Sequence, residues 1–273
     1  MSKLEIGVLA HLSADPQKDL RKVANLGLNN CQVCTWNPEL WTPQIGQKLL
    51  GAAREFGIRI TTQWTGYPGP KVWNFIKGPT TIGLVPREYR QQRLEVLKKG
   101  AEFAASLKLP SITTHAGFIP EDPNDPEFAG TVAALKELAI HCKGLGIELW
   151  FETGQETPVV LLRTFEHIGT DNLGVNLDPA NLILYGKGNP VDSLDVFGKY
   201  IRGVHAKDGL YPTNGSELGK ETPIGKGRVD FQALIAALKK LGYSGPLTIE
   251  REIEGDQQVR DIKESIAYLQ AMC

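Results

Sequence analysis

Long apolar runs are missing from this 273-residue chain, and none approaches the ~20 consecutive residues that a membrane helix needs. An excess of either charge is missing too. Thirty Lys and Arg stand against 31 Asp and Glu, for a net charge of −1. Proteins that hold nucleic acid by its phosphates carry a basic excess. Neither a membrane nor a nucleic acid is therefore expected as a partner. Cysteine is scarce, with only Cys31, Cys34, Cys142 and Cys273. Cys31 and Cys34 have the C-x-x-C spacing but fall in a strand-like run, where residues three apart point to opposite faces. Buried, reduced thiols are expected there rather than a metal or redox pair. The first residues run straight into a strand-like segment without the apolar core of a signal peptide. A soluble, cytoplasmic protein is expected. The 41% hydrophobic content is ordinary for a globular chain and too high for a disordered one.

What is present is alternation. Short β-branched runs recur, each followed by a longer run with helical periodicity. Strands are predicted at 5–12, 30–36, 59–64, 111–118, 147–151, 173–177, 201–206 and 246–253. Helices are predicted at 15–26, 43–56, 87–107, 127–144, 157–167, 190–200, 231–241 and 257–272. Gly27, Gly57, Gly146 and Gly242 follow helices and precede strands, where glycine accepts the left-handed conformation that ends a helix. Eight βα units in 273 residues is one per ~34 residues, the size of a βαβ repeat. Eight in a row with nothing left over favour an α/β fold of one domain, 1–273, closed into a (β/α)8 TIM barrel. A doubly wound sheet is disfavoured, because no Gly-rich dinucleotide turn follows the first strand. Long loops follow strands three and seven, 66–86 and 209–228. They would serve as a lid or a partner surface, and they leave room for a homo-oligomer.

In such a barrel the reactive groups sit at the C-terminal ends of the strands. Those positions hold His11, Trp36, Trp64, His115, Glu152, Asp178, His205 and Glu250. The last four close consecutive strands, five to eight. Adjacent strands are about 4.8 Å apart, so inward-pointing groups at their ends can converge on one ion. A carboxylate at a strand end is, taken singly, often a helix cap or an ion-pair partner. Four polar groups at four adjacent mouths would be costly to desolvate without a shared purpose. Two Glu, one Asp and one His form a hard, oxygen-rich set suited to Mn, Mg, Co or Zn. Four protein ligands would leave about two positions of a six-coordinate ion for vicinal substrate oxygens.

At these residues the chain resembles the xylose-isomerase-like TIM-barrel family, which includes ketose 3-epimerases, sugar isomerases, inosose dehydratases and endonuclease-IV-type repair enzymes. The resemblance covers essentially the whole chain. It is carried by Glu152 in Leu-Trp-Phe-Glu-Thr, Asp178 in Asn-Leu-Asp-Pro-Ala-Asn, His205 in Gly-Val-His-Ala-Lys-Asp, the loop from Pro223 to Phe231, and Glu250 in Leu-Thr-Ile-Glu-Arg-Glu. It implies that Glu152, Asp178, His205 and Glu250 ligate one divalent metal. Where the epimerases often carry a His and an Arg that touch substrate, this chain has Asn181 and Tyr211. The cations available nearby are Lys207, Lys226 and Arg228. The endonuclease branch uses a three-metal site needing more histidine than a chain with five His supplies.

The expected chemistry is sugar isomerisation or epimerisation through an enediolate, with a carbohydrate as substrate. A metal-bound carbonyl and hydroxyl acidify the C–H between them. Glu152 and Glu250 are the acid–base pair that moves the proton. The alternative is a metal-dependent lyase or dehydratase on a keto-sugar, keto-inositol or 3-keto-glycoside. A third reading is a barrel that keeps its metal without turnover. His115, His11, Lys207, Asn181, Trp36 and Trp64 are candidate substrate contacts, and Lys226 and Arg228 candidates for an acidic or phosphorylated substrate. Glu252, two residues past Glu250, is expected on the same strand face.

Overall fold

A computed structural model describes residues 3–273. Eight parallel strands pair in sequence order and close on themselves. They are β1 (Ile6–His11), β2 (Asn30–Thr35), β3 (Arg59–Thr65), β4 (Ser111–Thr114), β5 (Glu148–Glu152), β6 (Leu173–Leu177), β7 (Ile201–Ala206) and β8 (Leu247–Ile249). The outer helices are α1 (Pro16–Asn25), α2 (Pro43–Phe56), α3 (Arg87–Ser106), α4 (Pro126–Gly144), α5 (Pro158–Ile168), α6 (Ser193–Phe197), α7 (Phe231–Lys240) and α8 (Asp256–Gln270). The (β/α)8 expectation therefore holds.

Local chemistry explains the boundaries. Asp15, Thr42, Thr157 and Asp230 each accept a backbone N–H of the first turn of the helix they precede. Pro16, Pro43, Pro126 and Pro158 open their helices, where a missing N–H costs nothing. Gly27, Gly57, Gly146 and Gly242 all have positive φ, as the helix-stop reading requires. After α3 that position is filled by Lys108 at φ 58°, the single positive-φ non-glycine among the described residues. All six residues of β2 are buried, as expected of a parallel strand covered on both faces. Cys31 packs in the apolar core, whereas Cys34 faces the cavity at the barrel mouth. All four cysteines are free.

Three expectations need correction. The helix predicted at 190–200 is split. Asp178 caps a short helix, Pro179–Leu184, at once, and only a five-residue α6 plus a 3-10 turn, Gly198–Tyr200, follow. Pro179 directly after a capping Asp starts that helix early. β4 ends at Thr114, not at 118, because Gly117 turns the chain with φ 102°. β8 ends at Ile249, not at 253. The Glu252 N–H bonds the Glu221 carboxylate at 3.1 Å instead of a strand partner.

The two long loops meet over the barrel's C-terminal mouth, where the Phe75 N–H donates to the Ser216 carbonyl at 3.0 Å. Arg93, fully buried on α3, holds the first loop. Its guanidinium donates to the carbonyls of Pro68, Pro70 and Gly83 and lies over the Tyr67 ring. Asp208 holds the second. Its carboxylate accepts the N–H groups of Gly209, Gly225, Gly227 and Val229 at 2.8–3.0 Å. Gly227 must be glycine, since a Cβ would lie 2.1 Å from Asp208 Oδ1. Among the described residues, no helix is long and apolar enough to cross a membrane.

Candidate metal centre and active site

Strand register brings the four strand-end residues to one level. Leu177 pairs with Val204, which sets Asp178 beside His205; Thr248 pairs with His205, which puts Glu250 one pleat higher on the next strand. One ligand atom from each of Glu152, Asp178, His205 and Glu250 lies within 4.8 Å of the others. His205 Nδ1 is 3.2 Å from Glu152 Oε1, 3.2 Å from Glu250 Oε2 and 3.8 Å from Asp178 Oδ2. The first three side chains are buried, and Glu250 keeps 11% of its side chain accessible.

The carboxylates are held individually. Glu152 receives the Trp64 indole N–H and, at 3.2 Å, the Asn181 amide; His115 Nε2 stands 3.7 Å away. Asp178 Oδ1 accepts the Asn181 N–H at 2.8 Å as a helix cap. Its Oδ2 is buried without a hydrogen-bond partner. An orphaned carboxylate oxygen is costly in a protein interior; around it stand the Lys207 ammonium at 3.7 Å, His205 Nδ1 at 3.8 Å and the carboxylates of the set. The donor set, the spacing and this free oxygen all fit one divalent cation.

His205 is oriented from behind. Its Nε2 meets Gln32 Oε1 at 2.8 Å, and Gln32 Nε2 donates to Asn176 Oδ1 at 2.9 Å. Gly203 leaves room for this chain, because a Cβ there would come 2.2 Å from Asn176 Oδ1. The acceptor at Nε2 keeps a proton on that nitrogen and turns Nδ1 towards the carboxylates. Nothing in sequence spacing pointed to Gln32, which lies on the opposite side of the barrel.

Electrostatics follow from burial and crowding. Burial pushes Asp178 up to about 7 against the pull of Lys207 and His205. Burial also opposes ionisation of Glu152 and Glu250, but the neighbouring cations win. His115 and His205 hold Glu152 below its ordinary value, and Lys207 and His205 hold Glu250 well below it. His205 is raised well above its ordinary value, because the surrounding carboxylates outweigh its burial.

Lys207 does not reach out to solvent. It is 2% exposed, with Nζ 3.2 Å from Glu250, 3.1 Å from Glu252, 3.4 Å from Asn181 and 3.7 Å from Asp178. Glu252 is past the strand, contrary to the expectation, yet its carboxylate still meets the same ammonium. The cluster opens into a cavity of about 460 Å3 whose walls include His11, Trp36, Trp64, His115 and Asn181. Trp73, Leu218 and Tyr185 also line it, as does Cys34. Spacing gave no signal for these, because they come from loops or from the face hidden in a strand. Lys226 and Arg228 are a correction. Both are exposed and neither lines the cavity. The backbone of their loop wraps the Asp208 carboxylate, which turns these side chains outward.

With this geometry in view, comparison with known proteins decides the family. A family profile described as xylose isomerase-like TIM barrel matches residues 20–272. The chain belongs to that family. A xylose isomerase domain protein from Planctomyces limnophilus is 34% identical in its crystal structure, which superposes with a TM-score of 0.93 over 99% of this chain and 98% of that one. An uncharacterised protein of Methanocaldococcus jannaschii is 28% identical over 180 residues, 60% of this chain and 58% of that protein. The match thus spans less than two thirds of that relative's length. Two structures of lower identity share the barrel. A D-tagatose 3-epimerase-like protein is 20% identical with a TM-score of 0.74, over 98% of each chain. A Mycobacterium smegmatis protein of this fold, in complex with magnesium, is 18% identical with a TM-score of 0.72, over 99% and 96%.

Proposed function

We infer that this protein is a divalent-metal-dependent sugar isomerase or epimerase. The observation that carries the reading is the set of Glu152, Asp178, His205 and Glu250 from four adjacent strands, with Asp178 Oδ2 left unpartnered among them. The reading is supported by epimerase-like and magnesium-bound relatives of the same fold. These four residues would hold the ion, one of Mn, Mg, Co or Zn. When bound, the ion supplies the Lewis acidity that lets a C–H beside a substrate carbonyl be deprotonated near neutral pH.

The chain's own groups do the rest. Glu152 and Glu250, from β5 and β8, are the proton acceptor and donor. Trp64 and Asn181 fix the orientation of Glu152, and Lys207 that of Glu250. His115 lines the cavity with Nδ1 facing the Glu152 carbonyl at 3.4 Å and Nε2 3.7 Å from the Glu152 carboxylate, placed to meet a sugar hydroxyl. Trp36 offers a ring face to sugar C–H bonds, and His11 borders the mouth. The described residues, 3–273, work as one barrel. Its free cysteines suit the reducing cytoplasm.

The test is proton exchange. Metal-loaded protein is incubated with a panel of ketoses and keto-glycosides in heavy water and followed by proton NMR. Loss of one substrate C–H signal without release of water or an aglycone is expected. Appearance of an enone or a free leaving group would make the protein a lyase instead. Glu152→Gln and Glu250→Gln should each abolish exchange in a folded protein. Near-normal exchange in either variant removes that residue from the chemistry.

A further inference from the structure

The cavity above the carboxylate cluster has two unlike halves. Its floor is acidic. Glu152 and Glu250 line it with Asp178 buried beneath, and the exposed Glu252 and Glu254 carry the negative charge on towards the rim. Among the described residues no lysine or arginine lines it. Lys207, buried behind the lining, is enclosed by the carboxylates of Glu250, Glu252 and Asp178 and has no charge to spare. Five carboxylates against one ammonium and one divalent ion leave the site net negative. The nearest loop with the look of a phosphate cradle, Gly225-Lys226-Gly227, already spends its N–H groups on Asp208, a built-in anion. Lys71 donates to the carbonyls of Tyr67 and Gly69 and lies over the Trp36 ring at 5.0 Å; counted with Lys207 and a bound divalent ion against the five carboxylates, it still leaves the site net negative.

The outer half is apolar. Trp73 and Leu218 come from the two long loops, which the Phe75–Ser216 hydrogen bond ties together. Trp73 stands edge-on to Trp36 at 6.5 Å and to His115 at 5.5 Å, and remains 40% exposed. Leu184, Tyr185 and Ile253 add further apolar lining. A large, partly exposed indole at a cavity mouth is apolar area awaiting a partner. The volume of about 460 Å3 lies in the range that holds drug-sized ligands, more than one hexose ring requires.

We propose that the substrate is an uncharged sugar carrying an apolar substituent, with the sugar ring on the acidic floor and the substituent against Trp73 and Leu218, and that phosphorylated sugars are rejected. This rests on the proposed function for the placement of the ring. A glycosidic substituent locks the anomeric carbon, so the carbonyl that permits proton abstraction must lie at another ring carbon. The substrate class is thus a keto-glycoside with an apolar aglycone.

The experiment reads binding apart from turnover. Manganese-loaded protein is mixed in a stopped flow with methyl 3-keto-glucoside, phenyl 3-keto-glucoside or 3-keto-glucose 6-phosphate at 0.15 M salt. Quenching of tryptophan fluorescence is recorded. The phenyl compound is expected to bind at least tenfold more tightly than the methyl one, and the phosphate at least tenfold more weakly. Trp73→Ala should shrink the phenyl preference, and Glu254→Lys should shrink the discrimination against phosphate. Phosphate binding equal to or tighter than methyl overturns the proposal. So does a phenyl group that adds nothing, or failure of all three to bind at millimolar concentration. If the binding order holds but no substrate exchanges its C–H with solvent, the acid–base reading fails while the binding class stands.

Discussion

Replacing Gln32 by Leu tests how the metal centre is held. Gln32 touches none of the cavity's prospective contents. It accepts from His205 Nε2 at 2.8 Å and hands its own amide to Asn176 at 2.9 Å. Leucine of similar volume would leave a buried imidazole N–H without an acceptor, a cost of about 1–3 kcal/mol in the metal-free fold. It would also free the ring to carry its proton on Nδ1, the nitrogen that faces Glu152, Asp178 and Glu250. Loss of such an orienting partner weakens metal binding by roughly 10–100-fold. At a metal concentration 100 times the native dissociation constant, metal stabilises the native protein by about 2.7 kcal/mol. A variant binding 100-fold more weakly would gain only about 0.4 kcal/mol from the same metal. For a chain of this size each kcal/mol moves the melting temperature by roughly 2–4 °C. Melts with and without manganese separate the two effects. The metal-free melt reports the packing and hydrogen-bond loss, and the metal-induced rise reports the coupling. Calorimetric titration gives the affinity directly. If Gln32→Leu binds manganese within threefold of the native protein, the orienting role is refuted.

Other expectations follow from the same structure. Glu156 is buried with one carboxylate oxygen unpartnered, and burial pushes it up to about 8. A folded-state value above the unfolded one means full stability below the ordinary carboxylate range and progressive loss as pH climbs towards 8. Glu156→Gln should flatten that slope in denaturant midpoints and gain on the order of 5 kcal/mol relative to the native chain above pH 8; an unchanged slope refutes it. Asp208→Ala removes the acceptor shared by four backbone N–H groups. It should cost about 2–4 kcal/mol and speed hydrogen exchange at Gly225, Gly227 and Val229. Exchange there at the native rate would show that the loop is held by other contacts.

Much of this architecture is written in local chemistry. Caps such as Thr42 and Asp230, prolines at helix starts and left-handed glycines at helix ends act within a few residues, so sequence alone places the eight units. The strand-end rule then selects Glu152, Asp178, His205 and Glu250 without knowledge of any contact. Errors arise where local and long-range terms compete. Asp178-Pro179 starts a helix earlier than the apolar pattern showed, and β8 stops at Ile249 because Glu221, from another loop, captures the Glu252 N–H.

Sequence by itself determined the barrel, its order of strands and the four side chains at its rim, because period, punctuation and strand polarity are properties of neighbouring residues. Only the tertiary structure decided what surrounds them. Gln32 reaches His205 across the barrel, Lys207 is enclosed by three carboxylates from two segments, and Trp73 and Leu218 come to the mouth from distant loops. Lys226 and Arg228 stay exposed for the same reason: a loop's side chains point where its backbone hydrogen bonds send them, and those bonds run to Asp208, 17 to 21 residues earlier in the chain.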